Sequence, residues 1–339
     1  MPNWNSLLAL DEGRMVQALR DFPEQIERAL GLSCRVPNGI QGFKNAVVLG
    51  MGGSAIAGDL LARFATVPVV TVRDYALPGW VNVDTLLVAI SYSGETEETL
   101  SAFREGLRRT RRAVALTTGG ALAALCEEWE IPWVPVPPGF QPRAALAFLL
   151  FPLLGCFSRL GYLQGNPFAV ASLLRRLREA CSPDHNENAA QTLAQALFQK
   201  VPVIYGAGIT GPVAYRWKTQ INENAKQPAY WAELPELCHN EIVGYELAAK
   251  VFAQGIVIFL RTSFDHPRVA KRVEILKEVL SSRGLAFFEV WGEGEDALSQ
   301  ALWLLYFGDW VSFYLALLNG VDPTPVRPIQ ELKRRLKEL

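Results

Sequence analysis

Short runs of consecutive apolar residues, separated by stretches with helical spacing, occur in two series along this chain and set its fold class. Residues 46–49, 69–72, 86–90, 113–117 and 133–136 read as strands of the first series, and 201–205, 229–233, 256–260 and 285–291 as the second. Helical patterns lie between and after them, at 54–64, 96–108 and 143–160, then at 212–226, 267–282, 296–318 and 328–339. A strand that is apolar at every position cannot turn one face to water, so each series predicts a parallel sheet with helices on both faces. The series also resemble each other. VVLGMGGS at 47–54 and VIYGAGIT at 203–210 share a strand, a Gly-x-Gly turn and a Ser or Thr opening a helix, while LLVAISYSGET and IVIFLRTSFDH match in pattern only. The expectation is a duplicated α/β unit. Residues 1–160 form its first domain with an N-terminal helical extension, 161–200 a linker and helical segment, and 201–339 a second domain ending in a helix.

Bulk properties exclude several classes. A formal net charge of −1 offers no basic field for nucleic acid. The five cysteines (Cys34, Cys126, Cys156, Cys181 and Cys238) are scattered, with no C-x-x-C pair, as expected of reduced thiols in a cytoplasmic protein. Cys238 adjoins His239, but side chains of adjacent residues rarely face each other, so a catalytic thiol is the lesser reading. The N-terminus has neither the basic flank nor the apolar stretch of a signal peptide. The apolar stretch at 144–157, broken by Pro152, falls short of the roughly 20 residues that cross a bilayer and reads as a buried helix.

Two loops and one polar segment carry chemistry. GMGGSA (50–55) follows a strand and opens a helix, where glycines admit a ligand to the backbone and Ser54 adds a hydroxyl. It also satisfies G-x-G-x-x-A, a dinucleotide fingerprint, with Asp74 near the place of a ribose-binding acid. SYSGET (91–96) offers Ser91, Ser93 and Thr96 around Gly94, a nest of hydroxyls and N–H groups suited to one phosphate. The same residues suit a helix start, and both readings can hold together. Arg143 follows the rigid PVPPGFQP approach and could meet an oxyanion there. The segment KTQINENAKQPAYWAELPELCHNE (218–241) places Glu223 and His239, one of three histidines, in one polar stretch. A carboxylate and an imidazole there suggest acid–base work on a phosphorylated substrate, although either alone could be structural. In the last helix Lys333 lies one turn after Ile329, on or near the expected buried stripe, while Arg334, Arg335 and Lys337 read as solvated.

On GGSA (52–55), SYSG-x-TEETL (91–100), PRAA (142–145), NENAK (222–226), HNEIVG (239–244) and the closing GVDP (320–323), the chain resembles the bifunctional phosphoglucose/phosphomannose isomerases, from about residue 35 to its end. The resemblance implies two flavodoxin-like sugar isomerase (SIS) domains, a homodimer, and no metal or organic cofactor. It implies that Ser54, Ser91, Ser93 and Thr96, with the backbone at Gly52 and Gly53, hold a sugar phosphate. Glu223 would carry a proton between C1 and C2, and Arg143 would stabilise the enediolate. His239, donated by the neighbouring subunit, would assist ring opening, and Lys333 would help with ring opening or substrate positioning. Imidazole is the side chain that ordinarily titrates near neutrality, which suits ring opening. Two positions depart from the pattern. Glu95 stands where Asn is more usual and adds a negative charge to the phosphate loop. A hydroxyl expected near the late lysine is met by Thr324 only nearby, the aligned position being Val326.

Two other functions compete. A non-catalytic phosphosugar sensor would keep the loops but has no use for Glu223, His239 and Lys333 together. A nucleotide-dependent oxidoreductase would use the Gly50–Ala55 turn and leave SYSGET and the 218–241 segment unexplained.

Overall fold

The computed structural model describes residues 2–33, 40–184, 187–336 and 338. Cys34, Lys337 and the end of the final helix pattern lie outside the described residues. Among the described residues, nine strands form two parallel sheets. β1 (Asn45–Leu49), β2 (Val69–Val72), β3 (Thr85–Ile90), β4 (Ala113–Thr117) and β5 (Trp133–Pro135) take the order β2-β1-β3-β4-β5. β6 (Val201–Ala207), β7 (Tyr230–Leu234), β8 (Gly255–Arg261) and β9 (Ala286–Trp291) take the order β7-β6-β8-β9. The second order repeats the first without a fifth strand, which is the duplication the two glycine turns suggested.

Eleven helices position the site: α1 (Phe22–Leu32), α2 (Gly52–Phe64), α3 (Glu97–Leu107), α4 (Gly120–Glu128), α5 (Leu146–Arg159), α6 (Val170–Cys181), α7 (Ala189–Leu197), α8 (Gly211–Ala225), α9 (Pro267–Ser282), α10 (Ala297–Leu318) and α11 (Arg327–Leu336). Alternate strand residues feed opposite layers, as the pleat requires. Val47, Leu49, Leu87 and Ala89 pack beneath α3 and α4, whereas Ala46, Val48, Leu86 and Val88 enter a larger core. On the second sheet Val257 and Phe259 pack against α9, while Ile256 and Ile258 join the larger core. Helices thus cover both faces of each sheet.

That larger core runs without a break through α5, α6, α7, α8 and α10. The segment 161–200 contributes α6 and α7, whose inward residues Val170, Leu174, Leu177, Leu193 and Leu197 are buried in it. α7 starts on a reciprocal cap in which Asn188 Oδ1 accepts from Gln191 N (2.9 Å) and Gln191 Oε1 from Asn188 N (3.1 Å). Residues 142–159 and α10 are long and apolar enough to cross a membrane, yet both are largely buried inside the fold, α10 against α6, α7 and α8.

The helix pattern at 143–160 divides into a 3-10 turn at Pro142–Ala145 and then α5. α11 departs from expectation more sharply. Its apolar stripe is not buried: Ile329, Leu332 and Leu336 are 41%, 59% and 47% exposed. α11 has no buried residue, so the amphipathic pattern anticipates a surface the single chain does not supply.

Candidate active site

The turn leaving β1 and the turn leaving β3 flank the point where the strand order reverses, the crevice in which open α/β sheets bind ligands. Gly52 adopts φ +50°, and a Cβ at Gly53 would stand 3.3 Å from Arg143 Cα and from Pro142 O. Glycine there lets the PRAA turn close directly onto the GGSA loop. Beside it, Ser91 Oγ and Thr96 Oγ1 share a hydrogen bond of 2.8 Å, Gly94 N donates to Ser91 Oγ (3.1 Å), and Glu95 N donates to Ser93 Oγ (3.2 Å). Ser54 and Ser91 are buried and Ser93 is exposed. Ser91, Ser93 and Thr96 thus lie in one loop after β3, and Ser54 lies in the first turn of α2 after β1.

Glu95 does not add its charge to that nest. Its carboxylate accepts from Ala121 N (2.9 Å) and caps α4, where an acid meets unpaired N–H groups and the positive end of the dipole. Tyr92, which the loop pattern did not single out, ties the nest to the proline-rich approach. Its hydroxyl donates to Pro137 O (3.0 Å) and accepts from Phe140 N (2.8 Å).

Arg143 lies at the end of that approach and is 3% exposed. Its Nε donates to Asn224 Oδ1 (2.7 Å), and Nη2 donates to Pro323 O (2.7 Å) and Thr324 O (2.8 Å). Only Nη1 faces a carboxylate, Glu223 Oε2, at 3.6 Å. Burial works against the Arg143 charge and draws its pKa below the ordinary value, with Glu223 opposing that shift. Arg143 thus touches the GGSA loop with its backbone and Glu223 with its guanidinium.

A buried polar ladder holds this arrangement. Arg216, Gln220 and Asn224 repeat every fourth residue on one face of α8 and meet α10. Arg216 pairs with Asp309 at 2.7 Å and donates to Arg143 O at 3.1 Å; Gln220 Nε2 donates to Asp309 Oδ1 at 2.9 Å. Asn224 Nδ2 donates to Ser312 Oγ at 2.9 Å. Burial raises the Asp309 pKa, with Arg216 opposing. The signal in the sequence was available: Asp309 is the one charged residue in the 22-residue α10.

Glu223 lies on the last turn of α8 with its side chain 27% exposed, on the wall of a cavity of about 430 Å³ shared with Asn222, Lys226, Val326 and Ile329. Val326, the position where a hydroxyl was expected, therefore faces the same cavity as Glu223. Thr324 instead packs on Gly13, where a Cβ would fall 2.2 Å from Thr324 Cβ.

Among the described residues, His239 makes no hydrogen bond or ion pair with Glu223. It follows β7, whose end pairs with the end of β6, next to the start of α8. Glu223 is 12 residues further along α8, about 18 Å at the helical rise of ~1.5 Å per residue. His239 is exposed, and so is Lys333 on α11. Cys238 is partly buried, and burial pushes its thiol pKa up, the opposite of an activated nucleophile.

A larger cleft of about 640 Å³ lies between the edge strands β2 and β7, but its charges engage each other: Arg63 pairs with Glu233 (3.0 Å) and Arg73 with Asp59. The corresponding turn of the second sheet follows β8. There Arg261 aligns with Ser91, is 4% exposed, and binds Asp265 (2.7 Å) and Glu289 (2.5 Å).

Known proteins resemble this chain in family and in fold. The family described as "Bacterial phospho-glucose isomerase C-terminal SIS domain" matches residues 186–336. A bifunctional phosphoglucose/phosphomannose isomerase of Caldicellulosiruptor bescii is 38% identical over 337 residues, covering 96% of this chain and 99% of that protein. One of the same description from Aquifex aeolicus is 37% identical, covering 87% and 91%. Among solved structures, a hypothetical protein from Thermus thermophilus superposes with a TM-score of 0.79 at 16% identity, covering 99% of this chain and 93% of that one, a likeness of fold alone.

Proposed function

The chain belongs to the bifunctional phosphoglucose/phosphomannose isomerase family, and from that membership and the site geometry we infer the reaction it performs. It is an aldose–ketose isomerase that interconverts glucose 6-phosphate and fructose 6-phosphate, and also acts on mannose 6-phosphate. The observation that carries the residue assignment is the joining of the GGSA loop to Glu223 through Arg143.

In this reading Ser54, Ser91, Ser93 and Thr96, with the backbone at Gly52 and Gly53, bind the phosphate. That binding orients C1 and C2 of the opened sugar against Glu223. Glu223 takes the C2 proton of the aldose as the C1=C2 bond forms and O1 gains a proton, giving a cis-enediol. Return of a proton to C1, with loss of the O2 proton as the C2=O2 bond forms, yields the ketose. One carboxylate on one face of a planar intermediate suffices. Arg143 Nη1 supplies the positive charge beside the developing enediolate. His239 and Lys333 act in ring opening or substrate positioning.

His239 reaches the site from a second subunit. Three observations support a homodimer: the separation along α8, the exposed stripe of α11, and the exposed Val243, Leu247 and Val251 in the segment after His239. Apolar surface on that scale marks association. The buried thiols Cys126, Cys156 and Cys181 suit a cytoplasmic location.

The test is conversion of fructose 6-phosphate to glucose 6-phosphate by the chelator-treated protein and by Glu223→Gln. General-base catalysis predicts a kcat loss of about 10²- to 10⁴-fold in the variant with phosphosugar binding retained. No turnover in either protein, with binding intact, would point to the phosphosugar sensor.

A further inference from the structure

Lys226 ends α8 three residues after Glu223, in the left-handed backbone region at φ 57°. Side chains other than glycine disfavour that conformation, and helices that end this way most often use glycine. A lysine held there calls for an explanation in its side chain. Its Nζ donates to Glu223 O and, at 3.0 Å, to Pro323 O. Pro323 O is also the acceptor of Arg143 Nη2 at 2.7 Å. Two cations therefore converge on one carbonyl of the turn that follows α10.

The charged groups around Lys226 come from three elements: Glu223 on its own helix, Arg143 from the PRAA turn, and Asp322 from the turn after α10. Across the cavity, Pro325, Val326, Pro328 and Ile329 carry no charge. Burial, together with the Arg143 charge, lowers the Lys226 pKa to about 8 against the partial opposition of Asp322 and Glu223.

Resting on the isomerase reading above, we infer that Lys226 is a positioning residue for Glu223. Its ammonium fastens the last turn of α8 to the turn that grips Arg143, so that base and guanidinium are held as one unit. Removal of the ammonium lets the two drift apart, and turnover falls more than substrate affinity does.

The experiment is the pH dependence of kcat and KM from pH 6 to 10 for the wild type, Lys226→Met and Lys226→Arg, each checked for a wild-type circular dichroism spectrum. In the wild type, kcat falls as pH rises through about 8, where the lysine loses its proton. In Lys226→Met, kcat at pH 7 falls on the order of ten- to a hundredfold, the scale of a small misplacement at a reacting centre, with KM changed by less than about threefold. That variant has no limb near pH 8. Lys226→Arg, whose guanidinium does not titrate in this range, recovers part of kcat and holds it above pH 8. A Lys226→Met profile that overlays the wild type overturns the inference and leaves the isomerase reading standing. Absence of wild-type turnover removes the isomerase reading instead. Carbon-13 resonances of lysine Cε decide the electrostatic part without activity. One signal titrating near pH 8 and missing from Lys226→Arg supports it; every lysine titrating near its ordinary value overturns it.

Discussion

Arg143 Nη1 stands 3.6 Å from Glu223 Oε2 while Nε and Nη2 of the same guanidinium are bound by Asn224, Pro323 and Thr324. The fork is fixed on three sides, so the one direction it leaves open is toward the carboxylate and whatever lies beside it. The arginine is built into the wall before any substrate arrives, which is the arrangement that stabilises developing charge at least reorganisation.

Arg143→Lys tests this. An ammonium keeps the charge but cannot make the planar fork, so Asn224 and the two carbonyls lose their shared donor. The expected result is a kcat loss of about 10²-fold or more with a smaller change in KM, read by steady-state kinetics. A kcat within twofold of wild type would show that the charge alone matters.

The Arg216–Asp309 pair beneath Arg143 makes a separate prediction for stability. Asp309→Asn leaves a buried guanidinium without its counter-charge, and losing one partner of such a pair costs about 3–5 kcal/mol. Urea unfolding would register the loss. Arg216→Met combined with Asp309→Leu removes both charges and should recover most of that stability. Activity should not recover, because Arg216 also holds Arg143 O.

If His239 serves the partner's Glu223, two inactive variants should rescue each other. Glu223→Gln mixed in equal amount with His239→Ala and allowed to exchange subunits yields one intact site in half of the dimers. About a quarter of wild-type activity should return, as a two-fold assembly requires. No recovery after demonstrated exchange would place His239 and Glu223 in the same subunit's site or remove His239 from the chemistry.

Lys226 also predicts how stability varies with pH. Its folded pKa of about 8 lies below the unfolded value of 10.5. Between those values the unfolded chain binds more protons, so the contribution of this group to stability rises with pH across that window and is flat below it. Relative to Lys226→Met, the wild type should gain melting temperature between pH 8 and pH 10.5. A difference constant with pH would show that the lysine is solvated as in the unfolded chain.

Much of the fold was legible because the strands are apolar at every position and the helices between them are long. The pattern at 267–282 coincides with α9, and that at 69–72 with β2. α4 was missed because GGALAALCEE is short and opens on two glycines, and its N-terminal cap comes from Glu95, 26 residues before the Ala121 N–H that it accepts from. That distant partner also explains why Glu95 looked like a misplaced charge in the loop. In the site, the loops and Arg143 announced themselves by residue type. Tyr92, Asn224 and Ser312 did not, because their value lies in which carbonyl or side chain they meet across the fold. The α11 stripe was read correctly as amphipathic and wrongly as buried, since periodicity tells which face wants cover and not which molecule supplies it.

The crevice of the second sheet has one further consequence. Where the proposed function has Ser91 of the first sheet meet an anion from outside, the second presents Arg261 to Asp265 and Glu289 from within. The copied unit carries its own carboxylates at the place where the proposed reading puts the substrate's phosphate in its twin. A fold with two equivalent docking points has thereby become a lock with one keyhole, and each chain should titrate with a single equivalent of sugar phosphate.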